Sequence, residues 1–266
     1  VNQKNYIFKL KSKPMAKVIA PFKISGTLDD INFVVTADGE NYARMKGKTG
    51  ITSEQFKNNP IFDRIRHQGT EFGQCSKKSA LFRLMADRFN RLAKDVSFAG
   101  RANKLLFEIL EEDTTQPKGQ RTLLEGLKTK DGKEILVGFE SNKLRPLRTV
   151  LKTKEQHNPN NQTLTLLNFI PKEHLDWPEE ATHVHLALAL TNWDFENETF
   201  NTCYSEEIIL AKESEKQTVT VQTERPTGNH LHLTFFFIGF AKQDRKKHKL
   251  LHRKNNTATI IASEIP

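Results

Sequence analysis

The feature that most constrains this chain is a change of hydrophobic period. From Lys143 onward apolar residues recur at every second position, after a long stretch in which they recur every three or four. Period two places successive side chains on opposite faces of a strand, so the second half is committed to sheet. The runs are 147–152, 163–169, 183–190, 207–210, 218–222, 230–240 and 257–262. Turn chemistry separates them at Asn158-Pro159-Asn160-Asn161, Asn197-Glu198 and Pro226-Thr227-Gly228-Asn229. Short strands with that punctuation predict an antiparallel β-sandwich, with Trp177, Trp193 and the phenylalanine-rich run 235–240 in its core or corners. The stretch 242–254 between the last two strands reads as a basic loop.

The stretch with helical spacing, 59–94, reads as a spine. Asn59 is a good N-cap and Pro60 suits the first helical position. Ile61, Ile65, Phe72, Phe82, Met85, Phe89 and Leu92 predict one apolar stripe. The small residues Gly69, Gly73, Ser76 and Ala80 predict close approach of another backbone, and the glycines predict a break near 69–73. A second helix is expected over 98–112, then a break at 114–119, and short helices over 121–127 and 133–139.

Ahead of the spine, Ile31 to Val35 and Tyr42 to Met45 flank Asp38-Gly39, the signature of a hairpin at 31–46, with 18–28 as a third strand or an arm. So few strands are not stable alone in water. Residues 47–53 read as a linker. Its Gly47-Lys48-Thr49 fails as a phosphate loop, because Tyr42 stands where the first glycine is required. The sequence therefore predicts an α+β protein with an N-terminal β-hairpin, a helical middle segment and a C-terminal antiparallel β-sandwich. The expected divisions are an extension or arm at 1–23, a hairpin with basic helices at 24–116, and short helices leading into the sandwich at 117–266.

Mean hydropathy is −0.60, and no apolar run approaches the ~18 residues that span a bilayer, so membrane insertion is not expected. The N-terminus lacks the apolar core of a secretory signal, which predicts a cytoplasmic location or a place in an assembly. Met15 resembles a translation start, making residues 1–14 an extension. Cys75 and Cys203 fall in different parts, which argues against a disulfide framework. Residues 1–110 carry 20 Lys and Arg against 10 Asp and Glu, whereas 111–266 carry 21 against 22. The excess lies largely on the spine, at Arg64, Arg66, Lys77, Lys78, Arg83, Arg88, Arg91 and Lys94. With Arg245, Lys246 and Lys247 it forms a candidate surface for nucleic acid or another anionic partner. A solvated helix face gives the same pattern.

The motifs Ile24-Ser-Gly-Thr-Leu-Asp-Asp-Ile-Asn-Phe, Lys57-Asn-Asn-Pro-Ile-Phe-Asp-Arg, Pro117-Lys-Gly-Gln-Arg-Thr and Asp131-Gly-Lys-Glu-Ile-Leu-Val-Gly-Phe-Glu resemble an uncharacterised protein family of Bacteroidota bacteria. The resemblance runs from about Met15 to the end. It implies the hairpin, helical middle and strand-rich C-terminal half, and it brings no catalytic residue or ligand.

Two His-x-His pairs are the sharpest chemical feature. His183 and His185 share one face of their strand, as do His230 and His232, and four imidazoles meeting in register would suit Zn²⁺, Ni²⁺ or Cu²⁺. The alternative places the histidines on solvent faces, opposite the apolar ones. His232-Leu-Thr234 also resembles one of the two His-x-Thr motifs of the two-histidine phosphoesterases, but His185-Leu-Ala187 lacks the second hydroxyl. Cys75 reads as a buried structural thiol, and paired carboxylates such as Glu206-Glu207 read as solvated acids at element ends. No cofactor is implied. The reading favoured is a non-catalytic structural or protein-interaction protein that self-associates as a homo-oligomer or within an assembly. Nucleic-acid binding comes second, and a metal- or histidine-dependent enzyme third.

Overall fold

The structure, a computed structural model, describes residues 15–36, 38–46, 50–245 and 247–264. Residues 1–14, read above as an extension, and Lys246 lie outside the described residues. The chain divides into two compact units, Val1–Phe62 and Asp63–Pro266, so the division falls ahead of the long helix and not near 116.

In the first unit β1 (Met15–Lys17), β2 (Gly26–Leu28), β3 (Ile31–Val35) and β4 (Asn41–Met45) form an antiparallel sheet of order β1-β4-β3-β2. The expected hairpin is β3–β4, with Ile31 opposite Met45 and Val35 opposite Asn41. Asn41 fastens the β1–β2 connection: its side-chain oxygen accepts from the Ile24 N–H (3.1 Å), and its nitrogen donates to the Ile24 carbonyl (2.7 Å). A short helix α1 (Ser53–Asn58), capped reciprocally by Thr52 and Gln55, occupies the end of the expected linker.

The second unit begins with α2 (Asp63–Met85), which is continuous for 23 residues. Asn59 caps a single 3₁₀ turn, Pro60–Phe62, ahead of it. The glycines at 69 and 73 do not break α2; a Cβ at either would meet only open space, so no backbone packs there. The helix ends at Ala86, followed by α3 (Asp87–Ala93). The apolar stripe is also only half right. Phe82, Met85 and Phe89 are buried, but Ile61, Ile65 and Phe72 are exposed. In their place the middle of α2 buries Glu71, Cys75 and Ser79, four residues apart. A charged pair holds that stretch: Arg121 donates to both Glu71 oxygens (2.9 and 2.7 Å), and the Gly119 N–H adds a third bond (2.7 Å).

Then come α4 (Phe98–Glu111), α5 (Leu123–Lys128), α6 (Lys130–Leu136) and α7 (Leu147–Val150). The last was expected as a strand; Pro146 caps it and gives a single helical turn. The remainder is sheet apart from α8 (Pro171–His174). The strands are β5 (Gln156–Asn158), β6 (Thr163–Phe169), β7 (His183–Asp194), β8 (Thr199–Tyr204), β9 (Ile208–Ala211), β10 (Gln217–Gln222), β11 (Leu231–Asp244), β12 (Lys247–Leu250) and β13 (Thr257–Glu264). A six-stranded antiparallel sheet is built on β12-β11-β7-β8 with β13 and β9 added, and a three-stranded one has order β10-β6-β5.

Alternation along β7 and β11 explains the layering. Val184, Leu186, Leu188, Phe236, Ile238 and Phe240 pack with Leu164, Leu166, Val219 and Val221 of the small sheet. Ala187, Ala189, Trp193, Phe235 and Phe237 pack with Phe82, Phe89, Leu106 and Ile109 of the helices. The large sheet is thus buried on both faces, which is why β7 and β11 read as almost continuous apolar runs. The stretch 242–254 is not a loop: β11 runs to Asp244, turns at Arg245, and returns as β12. Charged residues suit such an edge strand because they discourage further pairing.

Candidate functional site

The two His-x-His pairs lie on the adjacent strands β7 and β11 but do not meet. The register sets His183 opposite Ala241 and His232 opposite Asn192. Nine residues of β11 therefore separate the pairs, roughly 30 Å at the usual rise of a strand. They also face apart. His183 and His185 point to the helical side, with Ala187 and Ala189, whereas His232 points to the small sheet, with Phe236. His230 precedes β11 and is exposed; its N–H donates to Asn192 (2.9 Å) and its ring lies 3.6 Å from Asp194. Among the described residues no three His, Cys, Asp or Glu side chains are placed to share a metal ion.

Each pair instead has its own surroundings. His185 is buried, with Nδ1 2.7 Å from Glu207, which also forms an ion pair with Arg88 of α3. Burial opposes the Glu207 charge, yet the bonds from His185 and Arg88 hold its pKa below the ordinary value. The His185 Nε2 is buried and has no hydrogen-bond partner among the described residues. The His183 ring stacks on His248 of β12 at 4.0 Å, and burial followed by the neighbouring imidazoles lowers the His183 pKa. Gly239 stands opposite His185, and the Phe237 ring and Leu250 fill the place a Cβ would take there, 2.6 and 2.9 Å from it.

His232 lies at the other end, in a polar enclosure between the two sheets, and is 3 % exposed. Thr234, His157, Thr223, Arg225 and Glu264 share the enclosure, whose free volume is about 10 Å³, room for roughly one water molecule. Neither His232 nitrogen makes a hydrogen bond of normal geometry, although the Gly228 carbonyl lies close enough to favour a proton on one of them. Burial, followed by Arg225, lowers the His232 pKa, with Glu264 acting in the opposite direction. His157 is lowered by burial as well. Thr234 does stand beside His232, and the second histidine facing it is His157, not His185. A space of this size is too small for a phosphoryl ester.

The basic residues of the spine are largely matched by acids. Arg66 pairs with Asp63, Arg88 with Glu207 and Arg91 with Asp87, while Lys78 reaches Glu198 (2.9 Å) and the Phe195 carbonyl (2.8 Å). Lys77 lies near enough to Glu198 to help lower its pKa. Arg64 and Arg83 form no ion pair among the described residues. Arg245 and Lys247 sit at the β11–β12 turn, on a different layer from the spine. Neither cysteine is activated: burial pushes the Cys75 thiol up to about 12, and that of Cys203 is raised by burial too.

Sequence reasoning missed His157, His248 and Glu207. The first sat beside a turn and the second within a supposed loop. Glu207, taken for a solvated acid, is engaged by His185 across a strand pairing whose register no local pattern announces. No family model, curated protein or solved structure matches the chain, and the resemblance drawn from its motifs stands on those motifs alone. Among the described residues no helix is long and apolar enough to cross a membrane.

Proposed function

We propose that this is a non-catalytic interaction protein that self-associates through the apolar face of its N-terminal sheet. One observation carries the reading: that sheet has a sided face and no core of its own. Alternation places Leu28, Ile31, Phe33, Val35, Ala43 and Met45 on one side, with Asn41 the polar residue among them, and Thr27, Asn32, Tyr42 and Arg44 on the other, with Val34 the apolar one. Of the described residues in the unit, Asn41 alone is buried, and it is polar. Leu28, Ile31 and Met45 are 67, 40 and 54 % exposed, although each would contribute about 1.5–3 kcal/mol if fully buried.

A second copy of the chain is the occupant favoured by the exposed apolar side chains and the open strand edges. Residues 15–62 carry six Lys and Arg against five Asp and Glu, and residues 1–14 add four lysines, so 1–62 has a net charge of +5. The short strands β1 and β2 form the edges, and each leaves backbone groups able to extend the sheet.

The test is light scattering of the full chain over a wide concentration range, beside the variant Leu28→Glu/Ile31→Lys/Met45→Glu. The wild type is expected to be oligomeric and the variant monomeric, with helix and sheet content unchanged by circular dichroism. A wild type that stays monomeric at high concentration, or a variant that associates equally well, overturns the proposal.

A further inference from the structure

A different surface, on the second unit, has the character of a binding groove. It is formed by the C-terminal end of α2, by α3, by the turn into α4 and by Arg253, and encloses about 540 Å³. That volume falls within the range of ~300–1,000 Å³ usual for small binding sites. Its apolar part includes Leu84 and Val96, 50 and 96 % exposed, beside Ala80 and Ala99. An apolar side chain so open to water carries no structural benefit in this unit.

The charges around these residues are one-sided. Two acids line the groove, and both are engaged. Asp87 pairs with Arg91. Asp95 pairs with Arg101 (2.7 Å) and accepts bonds from Ser97 and from the Lys143 N–H. Burial opposes the Asp95 charge, but these bonds hold its pKa below the ordinary value. The three remaining cations, Arg83, Lys94 and Arg253, form no ion pair or side-chain hydrogen bond among the described residues. All three are half-buried, so their charges are less screened than those of a fully solvated lysine.

We propose that this groove binds an acidic segment of a partner protein, with an apolar side chain seated on Leu84 and Val96 and flanking carboxylates held by Arg83, Lys94 and Arg253. Charge complementarity selects the acids, and the exposed aliphatic residues select a peptide over nucleic acid. A phosphate backbone would satisfy the cations but leave Val96 and Leu84 uncovered. Single-stranded bases would need exposed aromatic rings to stack upon, and the one aromatic residue of the groove, Phe98, is buried. The groove is lined by residues of the second unit alone, and the proposal does not depend on the self-association proposed above.

Fluorescence anisotropy with a labelled Glu-Asp-Leu-Leu-Asp-Glu peptide tests the proposal on the full chain. Two controls are run beside it: the same peptide with serines for the leucines, and a single-stranded oligonucleotide. The leucine peptide is expected to bind more tightly than either control, and to weaken as salt is raised. Lys94→Glu combined with Arg253→Glu should weaken it by about tenfold or more, since attraction becomes repulsion at two positions. Val96→Ser, a fully solvated position that the fold does not use, should weaken it several-fold with the salt dependence retained. No binding at millimolar peptide, equal binding of the serine peptide, tighter binding of the oligonucleotide, or indifference to both variants overturns the proposal.

Discussion

His232 makes a strong prediction because its burial brings no compensation within normal hydrogen-bond geometry. A buried polar group without partners costs about 1–3 kcal/mol. Replacing it by leucine removes that cost and extends the apolar face of β11, so His232→Leu is expected to stabilise the second unit by about that amount at pH 8. The charged groups that bear on it are Arg225 after β10, Glu264 on β13 and His230 just ahead of β11, and His157 of β5 lines the same enclosure.

The pH dependence has a definite sign. The His232 pKa in the folded protein lies below its unfolded value, so above about pH 6.5 both states are neutral and no proton-linked difference exists. As the pH falls through that value, the unfolded chain takes up a proton that the folded chain refuses, and stability is lost. The loss continues until the folded pKa is reached and is then constant. Within that window the advantage of His232→Leu over wild type should widen by about 1.4 kcal/mol per pH unit. Part of the acid sensitivity survives in the variant, because His157 is shifted in the same direction. Urea unfolding between pH 8 and pH 5, followed by tryptophan fluorescence, measures this for the right unit, since Trp177 and Trp193 both lie there. A variant less stable than wild type at pH 8, or a difference that does not change with pH, would refute the reasoning.

Two further outcomes follow from packing. Arg121→Met leaves Glu71 buried without its guanidinium and should cost about 3–5 kcal/mol in urea unfolding, whereas the double change Glu71→Leu/Arg121→Met should recover much of it. Gly126→Ala sets a Cβ 1.9 Å from the Ile109 carbonyl, where α5 crosses α4. It should cost about 3 kcal/mol or more, read as a fall in Tm, and a neutral result would mean that the helices separate freely.

How far the fold can be read from the chain depends on which signal each element uses. The long strands were legible because period two survives burial. Thr163–Phe169 alternates against one core, and even the doubly buried β7 and β11 keep their length and their flanking turns. The short elements were not. Leu147–Val150 has the composition of a strand, and only Pro146 ahead of it argues for a helical turn. The polar sequence Lys247–Leu250 was taken for a loop because it buries almost nothing; its pairing with β11 depends on a tight turn at Arg245. In α2 the helix itself was legible, but its buried face was not. Helical spacing favours Ile65 and Phe72, whereas the structure turns Glu71, Cys75 and Ser79 inward. Arg121, fifty residues along, makes that face possible, and no local pattern carries such a pairing.

The same distinction applies to the histidines. Spacing within a strand correctly puts His183 with His185 on one face, but whether two strands bring their pairs together is a matter of register and direction. An antiparallel partner reverses the order, so residues near the start of β7 lie beside the end of β11. His183 consequently meets His248, from the strand after β11, and His232 meets His157, from the opposing sheet. The seam between the sheets closes with aliphatic and aromatic residues along most of its length, and His232 with Thr234 stands where that filling stops. A sequence shows the apolar alternation of β11 and the polar residues at its start. It does not show that the small sheet extends far enough to bury them, and that extension turns an apparently solvated histidine into a buried one.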